Sequence, residues 1–194
     1  MSDPLRRRER ATYEDLLEVP DHLVAEILDG DLYASPRPAV PHARAASVLG
    51  TDILAPFDRE GGGAGGPGGW WILDEPELHL QEDIAVPDVA GWRRSRLPAL
   101  PEAAFFTIAP DWVCEVVSPK TERIDRGRKR LLYAREGVSH LWLLSPSAHT
   151  LEVFRLSGDC WTLVHTFDGD ETIHAEPFDA VGLDMSRWWI PSTA

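Results

Sequence analysis

Three acidic residues interrupt stretches of sequence that otherwise have the apolar character of buried strands. Glu115 stands in "WVCEVV", Asp88 follows the proline of "DIAVPDVAGW", and Glu26 lies between Val24 and Leu28 in "HLVAEIL". A carboxylate buried in such a stretch costs several kcal/mol unless it is paired, protonated or bound to a metal. Clustered carboxylates suit a hard divalent cation such as Mg²⁺, which completes its shell with water and phosphate oxygens. Each acid taken alone is more often a strand residue that faces solvent.

Lysine is rare in this chain, and both lysines lie close to Glu115 in the sequence. There are two, Lys120 and Lys129, against seventeen arginines. Lysine is a compact donor that can lose its proton when burial lowers its pKa, whereas arginine stays protonated. Asp125, Lys129 and Tyr133 are spaced i, i+4 and i+8, so a helix would place them on one face. Either this face carries the ammonium to the acidic residues, or Asp125 and Lys129 form an ordinary surface ion pair.

The elements that must position these residues are indicated by caps, turns and periodicity. We predict a capped helix over 12–17, a hairpin turning at Asp29-Gly30, a helix over about 41–57, strands over 70–80, 83–92 and 112–117, a helix over about 122–136 ended by Gly137, a strand over 140–146, a hairpin around Ser157-Gly158-Asp159, and one or two short strands before "RWWIP".

The order of these elements predicts a mixed β-sheet with helices packed against it, an α/β fold on the border of α+β. Alternation along 83–92 places Ile84, Val86, Asp88 and Ala90 on one face of a strand. If the helix over 122–136 packs at the ends of the strands that carry Asp88 and Glu115, then the ammonium of a helical lysine enters the acidic cluster.

The chain is long enough for one domain, which we place at 11–194 after a disordered lead-in over 1–10. The segment "GGGAGGPGG" at 61–69 predicts a flexible loop. It lacks the Gly-Lys-Ser/Thr ending of a phosphate-binding loop, so we give it no nucleotide role.

Several of these segments resemble one family in order and spacing. They are "AEILDGDLYASPRPAVPH", "VPDVAGW", "WVCEVVSP" and "DRGRKRLLYAREGVSHLWLLSP". The chain from Thr12 to Ser145 resembles the bacterial restriction-endonuclease family of the Uma-two type, within the PD-(D/E)XK nuclease superfamily. The resemblance implies a restriction-endonuclease-like fold and hydrolysis of DNA that depends on Mg²⁺ or Mn²⁺.

The resemblance also implies roles for individual residues. Asp88 and Glu115 would be metal-binding carboxylates, Glu26 an additional acid, and a lysine would act on the attacking water. The superfamily's lysine stands two residues after the glutamate, where this chain has Val117. Lys129 would therefore supply the amine from the following helix. Tyr133 and His42 fall on positions where the family pattern has Tyr and His, and we give them supporting roles together with Asp125, which shares the helix face of Lys129.

The charges of the chain give one argument against the binding of DNA and one in favour of it. The net charge is −13, which argues against binding a polyanion. Basic residues nevertheless concentrate over 123–135 and at 93–96, so Arg126, Arg130 and Arg93 are candidate nucleic-acid contacts. The alternative is that they are solvated charges on helix faces.

The rest of the composition fits a protein of the cytoplasm. No stretch is apolar enough to cross a membrane, and the basic start "MSDPLRRRER" is not followed by the apolar segment of a secretory signal. Cys114 and Cys160 lie in apolar strand-like stretches and are expected to be buried free thiols. The pairs Trp70-Trp71 and Trp188-Trp189 suggest packing or an oligomer interface, and we expect a homodimer.

Other hydrolytic chemistries find little support. The seven histidines show no His-Glu-x-x-His spacing of a zinc hydrolase, and there is no Gly-x-Ser-x-Gly elbow. Two alternatives to a nuclease stay open. One is a catalytically inactive binding module that keeps the nuclease fold, and the other is a structural role in which Glu115 pairs with Arg126 or Arg130.

Overall fold

Two β-sheets form the frame of the protein. The computed structural model describes residues 10–61 and 65–191, so most of the expected lead-in and positions 62–64 of the glycine-rich loop lie outside the described residues. The strands are β1 (Leu23–Leu28), β2 (Asp31–Pro36), β3 (Trp70–Asp74), β4 (Leu78–Leu80), β5 (Asp83–Ala85), β6 (Val89–Arg93), β7 (Trp112–Val116), β8 (His140–Ser145), β9 (Thr150–Ser157), β10 (Cys160–Asp168), β11 (Thr172–Ile173) and β12 (Leu183–Asp184).

The larger sheet is mixed and has the order β10-β9-β8-β7-β6-β3, with β7 and β8 parallel and the other neighbours antiparallel. The smaller sheet has the order β2-β1-β5-β4 and is antiparallel, and β11 pairs with β12 separately. The predicted mixed α/β architecture is confirmed.

Two predicted strands are each divided between the sheets. The strand predicted over 70–80 is β3 in the larger sheet followed by β4 in the smaller, and the strand predicted over 83–92 is β5 followed by β6. The single face proposed for Ile84 and Ala90 is therefore wrong, because these residues belong to different hydrophobic cores. Pro87 and Asp88 lie at the crossing, where a proline ends the ladder of β5.

The N-terminal part follows the sequence signals closely. Helix α1 (Tyr13–Leu17) begins with a reciprocal capping box between Thr12 and Asp15. The β1–β2 hairpin turns at Asp29 and Gly30, which both have positive φ (54° and 79°) as a two-residue turn of this type requires. Helix α2 (Val40–Phe57) begins one residue before the predicted start.

Side chains of β7 alternate between two cores on opposite faces of the larger sheet. Cys114 and Val116 pack in the core that contains α2 and the C-terminal segment. Val113 and Val117 pack in the other core, beneath the helical segment that follows β7. Glu115 has the parity of Val113 and Val117, so its side chain enters the second core.

The helix predicted over 122–136 contains a change of helical type. It consists of α3 (Glu122–Ile124), a π-helical turn over Asp125–Lys129, and α4 (Arg130–Arg135), and Gly137 follows with positive φ (74°). Asp125 and Lys129 are the two buried residues of the π turn. Single π turns inside helices occur often at functional sites, since they rotate side chains out of the regular α-helical positions.

The C-terminal part corrects two expectations. Cys114 is buried but Cys160 is exposed, because it begins the outermost strand of the sheet. Trp188 and Trp189 are buried within the chain against α2 and the larger sheet. These tryptophans therefore offer no interface for a second copy, and the argument that they gave for a homodimer is lost.

No helix of the described residues is long and apolar enough to cross a membrane.

Candidate active site

A pocket of about 330 Å³ lies beyond the C-terminal end of β7, between the two sheets and the π turn. Its lining includes six of the seven residues that the sequence singled out as catalytic or supporting, namely Glu26, His42, Asp88, Glu115, Asp125 and Lys129. The seventh, Tyr133, is fully buried and contacts Glu115 from behind. Ligand sites of α/β proteins commonly lie at the carboxyl ends of parallel strands, as this pocket does.

Asp88 and Glu115 are brought together by the pairing of β6 with β7. Val89, which follows Asp88, pairs with Cys114, which precedes Glu115, so both acids lie at the same end of the paired strands. Asp88 Oδ2 also accepts a 2.7 Å hydrogen bond from the backbone N–H of Val116, which fixes the aspartate at the end of β7.

Lys129 is the centre of the charge network. Its ammonium Nζ lies 2.8 Å from Glu115 Oε1 and 2.9 Å from Glu26 Oε1, and it donates a 3.1 Å hydrogen bond to the carbonyl of Val86. An ammonium has three N–H donors, and these contacts use all three. The pairing of Glu115 with Arg126 or Arg130 is therefore wrong, because the carboxylate contacts the lysine instead.

Glu26 belongs to the same network through the smaller sheet. Its Oε1 accepts a 2.8 Å hydrogen bond from the backbone N–H of Val86, in addition to the contact with Lys129. Val86 thus offers its N–H to the glutamate and its carbonyl to the lysine. The segment that crosses between the sheets holds Glu26 and Lys129 next to each other.

Tyr133 completes the surroundings of Glu115. Its hydroxyl donates a 2.5 Å hydrogen bond to Glu115 Oε1. Burial, and then the negative charge of Glu115, raise the pKa of Tyr133 well above its usual value, so the phenol keeps its proton and acts as a donor. The carboxylate of Glu115, a residue that is 2% exposed, is thus held by the ammonium of Lys129 and the hydroxyl of Tyr133.

Burial and charge shift the pKa values of the central pair. Burial raises the pKa of Glu115 well above its usual value, although the charge of Lys129 opposes the shift. For Lys129, burial lowers the pKa, but the carboxylates of Glu115 and Glu26 outweigh burial, and the pKa lies well above the ordinary value. Lys129 is therefore an ammonium near neutral pH and not a free amine that could accept a proton.

The pKa values of two further ionisable groups near these carboxylates are also shifted. Burial raises the pKa of Asp125 to about 6, with Lys129 opposing the shift. His42 Nε2 lies 3.3 Å from Asp88 Oδ1. Burial lowers the pKa of His42, but the hydrogen bond to Asp88 and the charges of Asp88 and Asp125 reverse the sign, so that the pKa is raised overall.

The donor set of the pocket fits a hard divalent cation better than a soft one. Glu26, Asp88, Glu115 and Asp125 line the pocket, whereas Lys129 is its only cation near the buried carboxylates among the described residues. Burial is the main reason that the pKa values of Glu115 and Asp125 are raised, and the charges of the neighbouring carboxylates add to it. A bound cation would oppose both effects. In residues 10–61 and 65–191 no three Asp, Glu, His or Cys side chains converge as a closed metal centre. Mg²⁺ needs only one or two carboxylates and otherwise keeps water.

The pocket also has lining residues to which the sequence analysis gave no role in the site. Lys120 and Arg37 are exposed at its rim. The rarity of lysine was a usable signal for Lys120, since both lysines of the chain line the same pocket. Arg37 carried no such signal, because it is one of seventeen arginines.

The three arginines predicted to contact nucleic acid are engaged elsewhere. Arg126 pairs with Glu122 and Glu152, at 2.9 and 2.5 Å, and Arg130 lies over the ring of Phe154. Arg93 lies over Trp70 at the far end of β6, about 16 Å along the strand from Asp88 at 3.3 Å per residue. In the described part of the chain, none of the three lines the pocket.

Comparison with known proteins agrees with this architecture. A crystal structure of a putative nuclease of the DUF820 family from Anabaena variabilis superposes with a TM-score of 0.73 at 22% identity, over 92% of this chain and 97% of that one, which shows a common fold. A search of curated proteins gives no match. Residues 10–186 match the Uma2 family, described as putative restriction endonuclease. The chain therefore belongs to the Uma2 family of putative restriction endonucleases.

Proposed function

We propose that this protein is a metal-dependent endonuclease that hydrolyses phosphodiester bonds of DNA with Mg²⁺ or Mn²⁺. Membership of the Uma2 family supports a nuclease and hence a nucleic-acid substrate. The observation that carries the finer proposal is that Asp88 and Glu115 lie at the same end of two paired strands and line one pocket with two further acids, Glu26 and Asp125.

Asp88 and Glu115 would hold the metal ion, and Glu26 would add a ligand or a contact to its water. When bound, the ion would supply Lewis-acid chemistry by polarising the phosphate and lowering the pKa of a water molecule. Hydrolysis would consume one water and break one phosphorus–oxygen ester bond, giving a phosphomonoester and an alcohol.

The chain's own groups have defined parts in this proposal. Tyr133 and the backbone N–H of Val116 hold Glu115 and Asp88 in place, so the carboxylates do not have to be ordered during the reaction. Lys129 offsets negative charge as an ammonium. It can contact a water or a phosphate oxygen only by exchanging one of its three present partners. His42 positions Asp88 through the contact at Oδ1.

The test is cleavage of labelled DNA with Mg²⁺ or Mn²⁺ by the wild type and by Asp88→Asn and Glu115→Gln. Each variant removes a charge but keeps the shape of the side chain, and both should lose cleavage by at least about 100-fold if they hold the ion. Asp83→Asn is the matched control, because Asp83 is a buried carboxylate of the smaller sheet that pairs with Arg135 outside the pocket. Retained cleavage in both site variants would contradict the assignment.

A second candidate function is a binding module that keeps the nuclease fold without catalysis. The observation that favours it is the saturated ammonium of Lys129, which occupies Oε1 of both Glu26 and Glu115. The two functions differ in their response to metal, because a stable internal ion pair gains no stability from Mn²⁺ whereas a metal site does.

A further inference from the structure

The ammonium of Lys129 bridges two carboxylates that come from different sheets. Glu26 lies on β1 of the smaller sheet and Glu115 on β7 of the larger one. The Nζ atom of Lys129 is 2.9 Å from Oε1 of Glu26 and 2.8 Å from Oε1 of Glu115. A small cation between carboxylate oxygens is also the arrangement by which proteins hold a divalent ion. Lys129 therefore occupies, as a cation of the chain itself, the position that an ion bound to these two acids would take.

The two oxygens that contact Lys129 are already shared with other donors. Oε1 of Glu115 also accepts a hydrogen bond from the hydroxyl of Tyr133. Oε1 of Glu26 also accepts one from the backbone N–H of Val86. Lys129 is buried, and an ammonium and a divalent ion repel each other strongly at such depth because water screens the charges poorly. An ion that binds through Glu26 and Glu115 must therefore compete with the ammonium.

Asp88 is the acid of the proposed metal site that Lys129 does not engage. Its Oδ2 accepts the hydrogen bond from the backbone N–H of Val116, and its Oδ1 lies 3.3 Å from Nε2 of His42. Within the described part of the chain, the carboxylates that pair with the ammonium are those of Glu26 and Glu115. The site thus combines one acid that the protein fixes by itself with two acids whose counter-charge can be exchanged.

The helical segment of Lys129 offers the ammonium another partner. Asp125 and Lys129 are the two buried residues of the π turn, both line the pocket, and the charge of Asp125 already acts on Lys129. The pocket volume of about 330 Å³ gives the flexible lysine side chain space to turn. An ammonium released from the glutamates would thus stay in the pocket with a counter-charge nearby, where a phosphate or a water could contact it.

We propose that Lys129 and the divalent ion exclude each other at Glu26 and Glu115. Without the ion, the ammonium holds the two carboxylates together, and it is released into the pocket when an ion takes its place. This inference rests on the proposed function and adds a regulation of the same site. The affinity for metal is set by competition with a residue of the chain, and Lys129 can contact a phosphate only after the metal has bound.

The release of Lys129 is measurable in the wild-type chain because the sequence has only two lysines. The full chain is acetylated with a small amount of an N-hydroxysuccinimide ester at fixed pH, with and without millimolar Mn²⁺, and is then unfolded and digested. Cleavage after glutamate places Lys120 in peptide 116–122 and Lys129 in peptide 123–136. Mass spectrometry therefore follows the two lysines separately, and the exposed Lys120 reports any general effect of Mn²⁺ on the reagent.

Mn²⁺ should accelerate the acetylation of Lys129 and leave that of Lys120 unchanged. A released conformer populated to at most about 10% without metal becomes the main one with it, so the rate at Lys129 should rise about tenfold or more. The rise should be absent in Asp88→Asn, which lacks a charge that holds the ion. It should be complete in Asp83→Asn, because Asp83 pairs with Arg135 outside the pocket.

The affinity for Mn²⁺ gives a second and independent measure. Lys129→Met removes the competing cation and leaves two carboxylates that an ion can compensate, so it should bind Mn²⁺ at least about fivefold more tightly than the wild type. Lys120→Met is the matched control and should bind as the wild type does. The electron paramagnetic resonance signal of free Mn²⁺ gives Kd, at a temperature where circular dichroism shows each protein folded. If Lys129→Met does not fold, the acetylation of the wild type decides.

An unchanged or slower acetylation of Lys129 in the Mn²⁺-bound wild type would overturn the inference, because the ion would then bind with the ammonium in place. Equal or weaker binding of Mn²⁺ by a folded Lys129→Met would overturn it as well, and so would a wild type that binds no Mn²⁺. Cleavage of DNA separates the inference from the proposed function. Cleavage with Lys129 still protected removes the exclusion and leaves the nuclease, whereas release of Lys129 without cleavage leaves the exclusion and removes the nuclease.

Discussion

The ammonium of Lys129 lies 2.8 Å from Oε1 of Glu115, and both side chains are almost completely buried, at 3% and 2% exposed. This contact explains how a carboxylate is tolerated in the apolar strand β7. The cost of removing each charge from water is offset by the other charge and by the hydrogen bonds from Tyr133 and to Val86. The two residues are therefore coupled, and the effect on stability of replacing one should depend on whether the other is present.

Replacing Lys129 by methionine should destabilise the protein strongly. The variant Lys129→Met leaves Glu26 and Glu115 as buried carboxylates without a counter-charge, which is expected to cost about 3–5 kcal/mol in the free energy of unfolding. The loss should shrink as the pH falls, because Glu115 then takes up a proton. Urea unfolding at several pH values measures both effects.

The control for this substitution is the same change at the other lysine of the sequence. Lys120→Met changes the only other lysine, which is exposed, and should alter stability by no more than about 0.5 kcal/mol. Adding Glu115→Gln to Lys129→Met should recover part of the loss, since one of the two buried carboxylates that lack a counter-charge is then removed. A double variant that is the sum of its single variants would argue against the coupling.

Removing the hydroxyl of Tyr133 should weaken the same site without opening a cavity. Tyr133→Phe keeps the ring but takes a hydrogen-bond donor from a buried carboxylate, so a loss of about 1–3 kcal/mol is expected. Tyr33→Phe is the comparison, because Tyr33 is half-buried, packs against the same hydrophobic core and lies under Arg128, whereas Tyr133 donates to Glu115. Thermal unfolding of both variants decides the point, and equal small losses would mean that the bond to Glu115 contributes little.

The fold was largely predictable where local signals are strong. The Thr12 cap, the Asp29-Gly30 turn and the end of the helix at Gly137 each depend on a few neighbouring residues, and each is confirmed. The transfer of the chain between two sheets was not predictable from alternation. A continuous apolar pattern looks the same whether its two halves belong to one sheet or to two, so the breaks after β3 and β5 were missed.

The candidate site was predictable for a different reason. Buried acids and a rare lysine are exceptions to the composition of apolar strands, and such exceptions are informative without any knowledge of the fold. Arg37 and the backbone of Val86 could not be recognised in this way, because an arginine among many and a peptide group leave no mark in the sequence. The mutual arrangement of Asp88 and Glu115 depends on the register of two strands, which only the structure supplies.

Asp125 should make the stability of the metal-free protein depend on pH in the weakly acidic range. Its folded pKa is about 6, raised from 3.8, so its favourable contribution is fully present below about pH 4 and is lost as the pH rises through about 6. The expected fall is of the order of 3 kcal/mol. Urea unfolding of wild type and Asp125→Asn in EDTA measures it, and the difference between the two curves should carry this slope. Parallel curves would contradict the raised pKa.

Metal binding should be visible as a gain in thermal stability that depends on Asp88. An ion that binds the folded chain at a hundredfold excess over its Kd adds about 2.7 kcal/mol. In a chain of this length each kcal/mol raises Tm by about 2–4 °C. Millimolar Mn²⁺ should therefore raise the Tm of the wild type by several degrees.

The position of the ion is decided by two matched aspartate variants. Asp88→Asn can still accept the hydrogen bond from Val116 but loses the charge that would hold the ion, so the rise in Tm should vanish. Asp83→Asn should lower the starting Tm, because it weakens a buried pair with Arg135, yet keep the full rise. An equal rise in all three proteins would place the ion away from Asp88. No rise in the wild type would favour the binding module, since the ammonium of Lys129 would then be the permanent counter-charge of Glu26 and Glu115.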